Sequence, residues 1–128
     1  MRKDLIIRGI CCVRPGLQGI SENIRVVSLV GRFLEHARAF AFGESEEKEI
    51  YLGNADDLMQ RNLDRRVEQL FPLRAARRRD KVRRLLKLEL ADTVNAWELK
   101  PDGSFVRLHP RGAEEPLDSQ ALLLEEGF

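Results

Sequence analysis

Aromatic side chains make up only 6% of the 128 residues, and cysteine occurs twice. A core this short of rings must be filled by Leu, Val, Ile and Ala. Cys11 and Cys12 are adjacent, and neighbours in an extended strand point to opposite faces. Together they make neither a disulfide framework nor a pre-formed metal site, which fits a reducing cytoplasm. As small residues in an apolar run, both are expected to pack in the core. Long apolar runs are missing too: nothing approaches the ~20 residues of a membrane helix. The opening "MRKDLIIRGICCV" is interrupted by Arg8 and is followed by no small-residue cleavage site, so it is not read as a signal peptide. Net charge is only +1, from 22 basic and 21 acidic residues, so no global field calls for an anionic partner.

What remains is globular in character, 43% hydrophobic and 34% charged. The length suits one domain or a piece of a larger one. Charge is unevenly distributed. The stretch 74 to 87 holds Arg74, Arg77, Arg78, Arg79, Lys81, Arg83, Arg84 and Lys87 against the single acid Asp80, whereas the last 20 residues lean acidic. A charged run of this kind is first of all a solvated helix face. The alternatives are a surface that guides a polyanion and a nucleic-acid surface. Aromatics interleaved with the arginines are absent, which argues against single-strand nucleic-acid binding.

Hydrophobic patterning gives the elements. "DLIIRGICCV" (4–13) is a near-continuous apolar run, the pattern of a strand buried on both faces of a parallel or mixed sheet. "RPGLQGISEN" (14–23) is a loop, and "IRVVSLV" (24–30) has strand composition. "GRFLEH" (31–36) is a short turn or helical piece. In "LEHARAFAF" (34–42), His36, Arg38, Phe40 and Phe42 share one parity, so a strand there would aim His36 and Arg38 the same way. "GESEEKE" (43–49) reads as an exposed turn, "IYLGNAD" (50–56) as a short strand, and "RRVEQLFPL" (65–73) as a strand stopped by Pro72. Between 73 and 92, Val82, Leu85, Leu86 and Leu90 form the stripe of an amphipathic helix. Residues 95–108 make a hairpin turning at Pro101-Asp102-Gly103. A final helix spans 118–127, with Asp118 or Ser119 as N-cap and Gly127 past its end. The mixture is α/β or α+β. The chain opens on what should be a central strand, with no covering element before it, so the domain is expected to be incomplete.

Several of these segments together resemble the bacterial polyphosphate kinase 1 family: residues 4–43, "YLGNAD", "RNLDRRVEQLFP" and "DTVNAWELKPDGSFVRL", in order and spacing. The similarity covers nearly all of 1–128, as the carboxy-terminal part of the second phospholipase-D-like domain, an α/β mixed sheet flanked by helices. The resemblance implies reversible transfer of the ATP terminal phosphate to inorganic polyphosphate, with Mg²⁺, through a phosphohistidine in a domain absent from these residues. It implies that the Mg²⁺ ligands lie outside this chain. Its implied partners are ATP or ADP, polyphosphate, the remaining domains of the enzyme and a second copy in a homo-oligomer, with no nucleic acid and no membrane span. Its implied location is the cytoplasm, with peripheral association with the inner membrane a further option. The arginine of "IIRGICC", Arg8, corresponds to a residue that contacts ATP phosphates. The histidine of "LEHAR", His36, corresponds to one beside the same phosphates. One extra Asp stands in "NADDLMQRN", so either Asp56 or Asp57 fills the family position. Ala39 and Ala41 replace larger residues, which points to altered packing.

The chemistry of these residue types agrees. An arginine within a buried run needs an anionic partner, and guanidinium grips phosphate through fixed donors. Histidine gives a proton to a leaving phosphate oxygen, or stabilises charge there as imidazolium. Arg38 would assist electrostatically. On sequence alone His36 reads as a structural histidine and Arg8 as half of a buried ion pair; the resemblance turns both towards phosphate. His109, before a proline in a loop, reads as an ordinary surface residue. The competing function is a stand-alone anion-binding or regulatory module without catalysis. A separate phospholipase-D-like nuclease is disfavoured, because His36-Ala37-Arg38 only approximates the HxK pattern of that superfamily.

Overall fold

In a computed structural model of the chain, residues 1–9, 11–44, 48–53 and 69–127 are described. Their order is β1 (Lys3–Ile6), β2 (Ile24–Leu29), β3 (Ala39–Phe42), β4 (Glu49–Gly53), β5 (Leu70–Pro72), α1 (Ala76–Ala91), β6 (Ala96–Leu99), β7 (Phe105–Arg107) and α2 (Ser119–Glu126). The mixed α/β class expected from the sequence is present, with its strands divided between two sheets. The chain's contacts gather into two compact units, Met1–Glu35 with Lys87–Phe128, and His36–Leu86.

The first unit holds a four-stranded sheet in the order β1-β2-β6-β7. β1 runs parallel to β2, Leu5 facing Val26, and the other pairs are antiparallel, Ser28 facing Trp97 and Glu98 facing Val106. Consecutive residues of β2 are buried together, Val26 and Val27 at 1% exposure each, with Leu29, Ala96 and Leu99 completing this core. A strand with both parities buried is covered on both faces. That position belongs to β2, and this corrects the placement of the central strand in 4–13. β1 is an edge strand of four residues, with Lys3 and Asp4 exposed. Cys11 is half-buried and Cys12 exposed, so the core position expected for both does not hold for Cys12.

The loop and hairpin follow their turn chemistry. In the 14–23 loop, Gly16 N–H donates to the Ser21 carbonyl (2.8 Å) and Ser21 N–H to that of Leu17 (2.8 Å). At the hairpin tip, Gly103 N–H donates to the Lys100 carbonyl (2.9 Å), and Asp102 Oδ1 accepts from Ser104 N–H (2.9 Å) and Oγ–H (2.6 Å). Gly103 takes φ 89°, a conformation with no steric cost for glycine. α2 begins where the sequence places it. Asp118 accepts from Ala121 N–H as N-cap, and Gly127 closes the helix at φ 65° with its N–H on the Leu123 carbonyl.

The second unit holds a three-stranded antiparallel sheet, β3-β4-β5, with Phe40 facing Tyr51 and Leu52 facing Phe71. Ile50 is its buried centre. The Phe40 and Phe42 rings stack at 6.5 Å, and Tyr51 meets Phe42 edge-on at 5.7 Å. Pro72 ends β5 as expected, while residues 65–68 of that reading, Asp56, Asp57 and part of the 43–49 turn lie outside the described residues. The division between units falls inside α1, between Leu86 and Lys87. The apolar stripe of that helix is half-buried. Its one fully buried position is an acid, Glu89.

Candidate functional site

Arg8 follows the last sheet bond of its strand. Ile7 N–H still donates to the Val27 carbonyl (2.9 Å), and Gly9 then turns the chain at φ 80°. Between them Arg8 is exposed, not buried as the apolar run suggested. Its need for an anion is therefore not the desolvation of a core charge. Among the described residues its guanidinium has no hydrogen bond or ion pair.

His36 is also exposed, in irregular chain just ahead of β3. The expected shared strand parity of His36 and Arg38 is not formed, since the strand begins at Ala39. Arg38 Nη1 instead reaches back to the carbonyls of His36 (3.2 Å) and Ala37 (3.4 Å). Gly53 N–H fastens the Arg38 carbonyl at 2.9 Å. The His36 imidazole makes no hydrogen bond among the described residues. Arg8 belongs to the first unit and His36 opens the second.

The stretch leading to His36 is held by a residue that sequence reading passed over. Gln120, buried in the first turn of α2, accepts from Phe33 N–H (2.9 Å) and donates to the Phe33 carbonyl (2.9 Å) and to Glu35 Oε1 (2.9 Å). A side-chain amide closing both backbone groups of one residue imitates a strand partner. A side chain at Gly31 would meet the Gln120 amide and push it off its bonds to Phe33.

Acids cluster where α1 ends. Asp92, 1% exposed, accepts from Val94 N–H (2.8 Å), Asn95 N–H (2.6 Å), Asn95 Nδ2 (3.1 Å), Ser119 N–H (2.9 Å) and Ser119 Oγ–H (2.7 Å). Burial alone would raise its pKa, but the bonds from Ser119 and Asn95 outweigh it and hold the carboxyl below its usual value. Glu89 is pushed the other way, to about 7, by burial first and then by the charges of Glu35 and Asp92. Glu98 on β6 is lowered by its bond from Lys100 Nζ (2.9 Å), against its burial and with help from Arg25 (3.2 Å).

Among the described residues, no three His, Cys, Asp or Glu side chains gather as metal ligands. The acids that do come together are occupied, Asp92 by donors and Glu89 by desolvation. The described residues do not fit a magnesium ion. No described helix is long and apolar enough to cross a membrane.

The described residues thus form a two-sheet α/β chain on which Arg8 and His36 are both exposed. The polyphosphate kinase C-terminal domain 2 family model matches residues 1–120, and the chain belongs to that family. It is 50% identical over 125 residues to the polyphosphate kinase of Synechocystis sp., and 52% identical over 102 residues to polyphosphate kinase 1 of Chlorobaculum tepidum. Those alignments cover 98% and 80% of this chain but only 17% and 14% of the relatives. The crystal structure of polyphosphate kinase from Porphyromonas gingivalis superposes with a TM-score of 0.89 at 33% identity, over 98% of this chain and 19% of that one. The chain thus spans less than a fifth of the length of these relatives.

Proposed function

We propose that this chain supplies Arg8 and His36 to the phosphoryl-transfer site of a polyphosphate kinase, as the carboxy-terminal part of its second phospholipase-D-like domain. The observation that carries the proposal is that both side chains, at the family-matched positions, are exposed and keep their donors unpaired among the described residues. Structural cations are normally paired; a phosphate-binding pair has to be open.

In the forward direction a histidine of a domain outside this chain attacks the terminal phosphorus of ATP. A nitrogen–phosphorus bond forms, and the bond to the bridging oxygen breaks. ADP leaves; a terminal polyphosphate oxygen then bonds to the phosphorus as the nitrogen–phosphorus bond breaks, which frees the histidine. Arg8 orients the phosphates through its planar donors. His36 meets the negative charge growing on the bridging oxygen, with a proton or as imidazolium. A magnesium ion accompanying the nucleotide would be held by ligands outside this chain and would offset phosphate charge. The same reading brings ATP, ADP, polyphosphate, the other domains of the enzyme and self-association as partners, in the cytoplasm.

The test is made in the full-length enzyme. His36→Ala is expected to lower polymer synthesis from ATP by roughly 10²–10⁴-fold, the usual contribution of one acid–base group, with thermal melting unchanged. Wild-type turnover in that variant removes His36 from the chemistry. The 128-residue chain alone is expected neither to autophosphorylate nor to make polymer. Polymer formed by the isolated chain would mean that it needs no outside histidine.

A further inference from the structure

A cleft of about 500 Å³ in the His36–Leu86 unit is lined by β4, β5 and the first turns of α1. Four cations stand in its wall, Lys48, Arg74, Arg79 and Arg83, against two acids, Glu49 and Asp80. Both acids are engaged. Asp80 Oδ1 accepts from Arg83 Nη1 (2.9 Å), and Glu49 Oε2 from the Tyr51 hydroxyl (3.1 Å). Arg83 Nη2 donates to the Lys48 carbonyl (2.7 Å), and Arg79 Nη1 to that of Arg74 (2.8 Å).

Those bonds leave donors over. The Nε–H groups of Arg79 and Arg83 are both shielded from water and have no acceptor among the described residues. The Lys48 ammonium and the Arg74 guanidinium likewise have no ion-pair partner there. Buried guanidinium donors are rarely left unmet, and such gaps are filled in practice by water or an ion. The start of α1 is also uncompensated: its first turn contains no acid, and Ala76 at its start lies in the cleft wall.

We propose that this cleft is a second anion site, separate from Arg8 and His36, which takes a phosphate oxyanion as orthophosphate or as a segment of a polyphosphate chain. A tetrahedral oxyanion offers enough lone pairs to meet several guanidinium edges at once, which a single carbonyl cannot do. It meets Lys48, Arg74 and the open edge of Arg79 first. A rotation of the Arg79 guanidinium then brings its Nε–H to the same oxygens. Arg77 and Arg78, exposed on the same helix and outside the cleft, remain a solvated face.

The experiment follows backbone amide shifts of the 128-residue chain during titration with orthophosphate and, separately, with polyphosphate, at low and at physiological salt. The expected result is saturable shifts at residues 48–51 and 74–83 with either ligand, weaker at the higher salt. Arg79→Gln weakens them at least about tenfold, the effect of one charge-assisted hydrogen bond. Arg77→Gln weakens them less than about twofold. Shifts with polyphosphate alone, still dependent on Arg79, assign the site to the polymer. No local shifts with either ligand at low salt, or equal weakening by Arg77→Gln and Arg79→Gln, overturns the site. Should Arg79→Gln lower the melting temperature, Arg74→Gln takes its place, because no described bond uses its side chain. The outcome is independent of His36, whose role is read from turnover of the longer enzyme.

Discussion

The two ends of α1 solve opposite problems. At its end, Asp92 is buried and met by five donors. At its start, Arg79 and Arg83 hold donors that no described residue meets. A saturated carboxylate locks elements together; an unsaturated guanidinium leaves a place for something else. The contrast separates scaffold from candidate ligand site within sixteen residues of one helix.

The strongest way to break it is Asp92→Ala. Five donors lose their acceptor, and the fold should lose about 3–5 kcal/mol, measured by urea denaturation. A loss below 1 kcal/mol would dissolve the distinction between the two ends. Glu89 gives the next effect. Its folded pKa, about 7, lies above the ordinary 4.5, so between those values the folded chain binds more protons than the unfolded one. The Glu89 contribution is fully present below about pH 4.5 and is lost as pH rises through about 7, a change on the order of 3 kcal/mol. Glu35 and Asp92 are the charges it faces. Denaturation midpoints at pH 5 and pH 8 should converge in Glu89→Gln; an unaltered pH dependence would move the effect to another group.

Gln120→Ala should cost about 1–3 kcal/mol by unpairing the Phe33 backbone. Amide exchange at Phe33 would rise with it, and protection equal to wild type would show the clamp to be idle. The smallest change is expected at the other end of α1. Arg79→Gln should shift stability by no more than about 0.5 kcal/mol, since its one described bond is to an exposed loop carbonyl. A large loss there would make Arg79 scaffold after all.

Local chemistry was legible in the sequence and partnership was not. An N-cap at Asp118 or Ser119, which falls to Asp118, Gly127 as terminator, the Pro101-Asp102-Gly103 turn and the α1 stripe each rest on neighbours within a turn, and all are present. The run 4–13 misled because an apolar stretch does not distinguish an edge strand from a central one, and Gly9 ends it early by backbone conformation. Arg8 and His36 came from resemblance, and their exposure could not be read from patterning. Gln120, Asp92 and the Arg79–Arg83 cleft depend on residues far along the chain, such as Phe33, Ser119 and Lys48. Nothing in the immediate sequence marks Gln120 or Asp92, and the basic run 74–87 shows the arginines but not the Lys48 they face.

The register of β2 has a consequence for the order of folding. Its antiparallel partner is β6, with Val27 against Glu98, and its parallel neighbour β1 offers only four residues. During synthesis, the buried strand must wait at the ribosome until the far end of its own unit has been made. The His36–Leu86 unit is complete before then. The continuous unit can nucleate first, and closure of the interrupted sheet, with its large loop to pin down, should be the slow step.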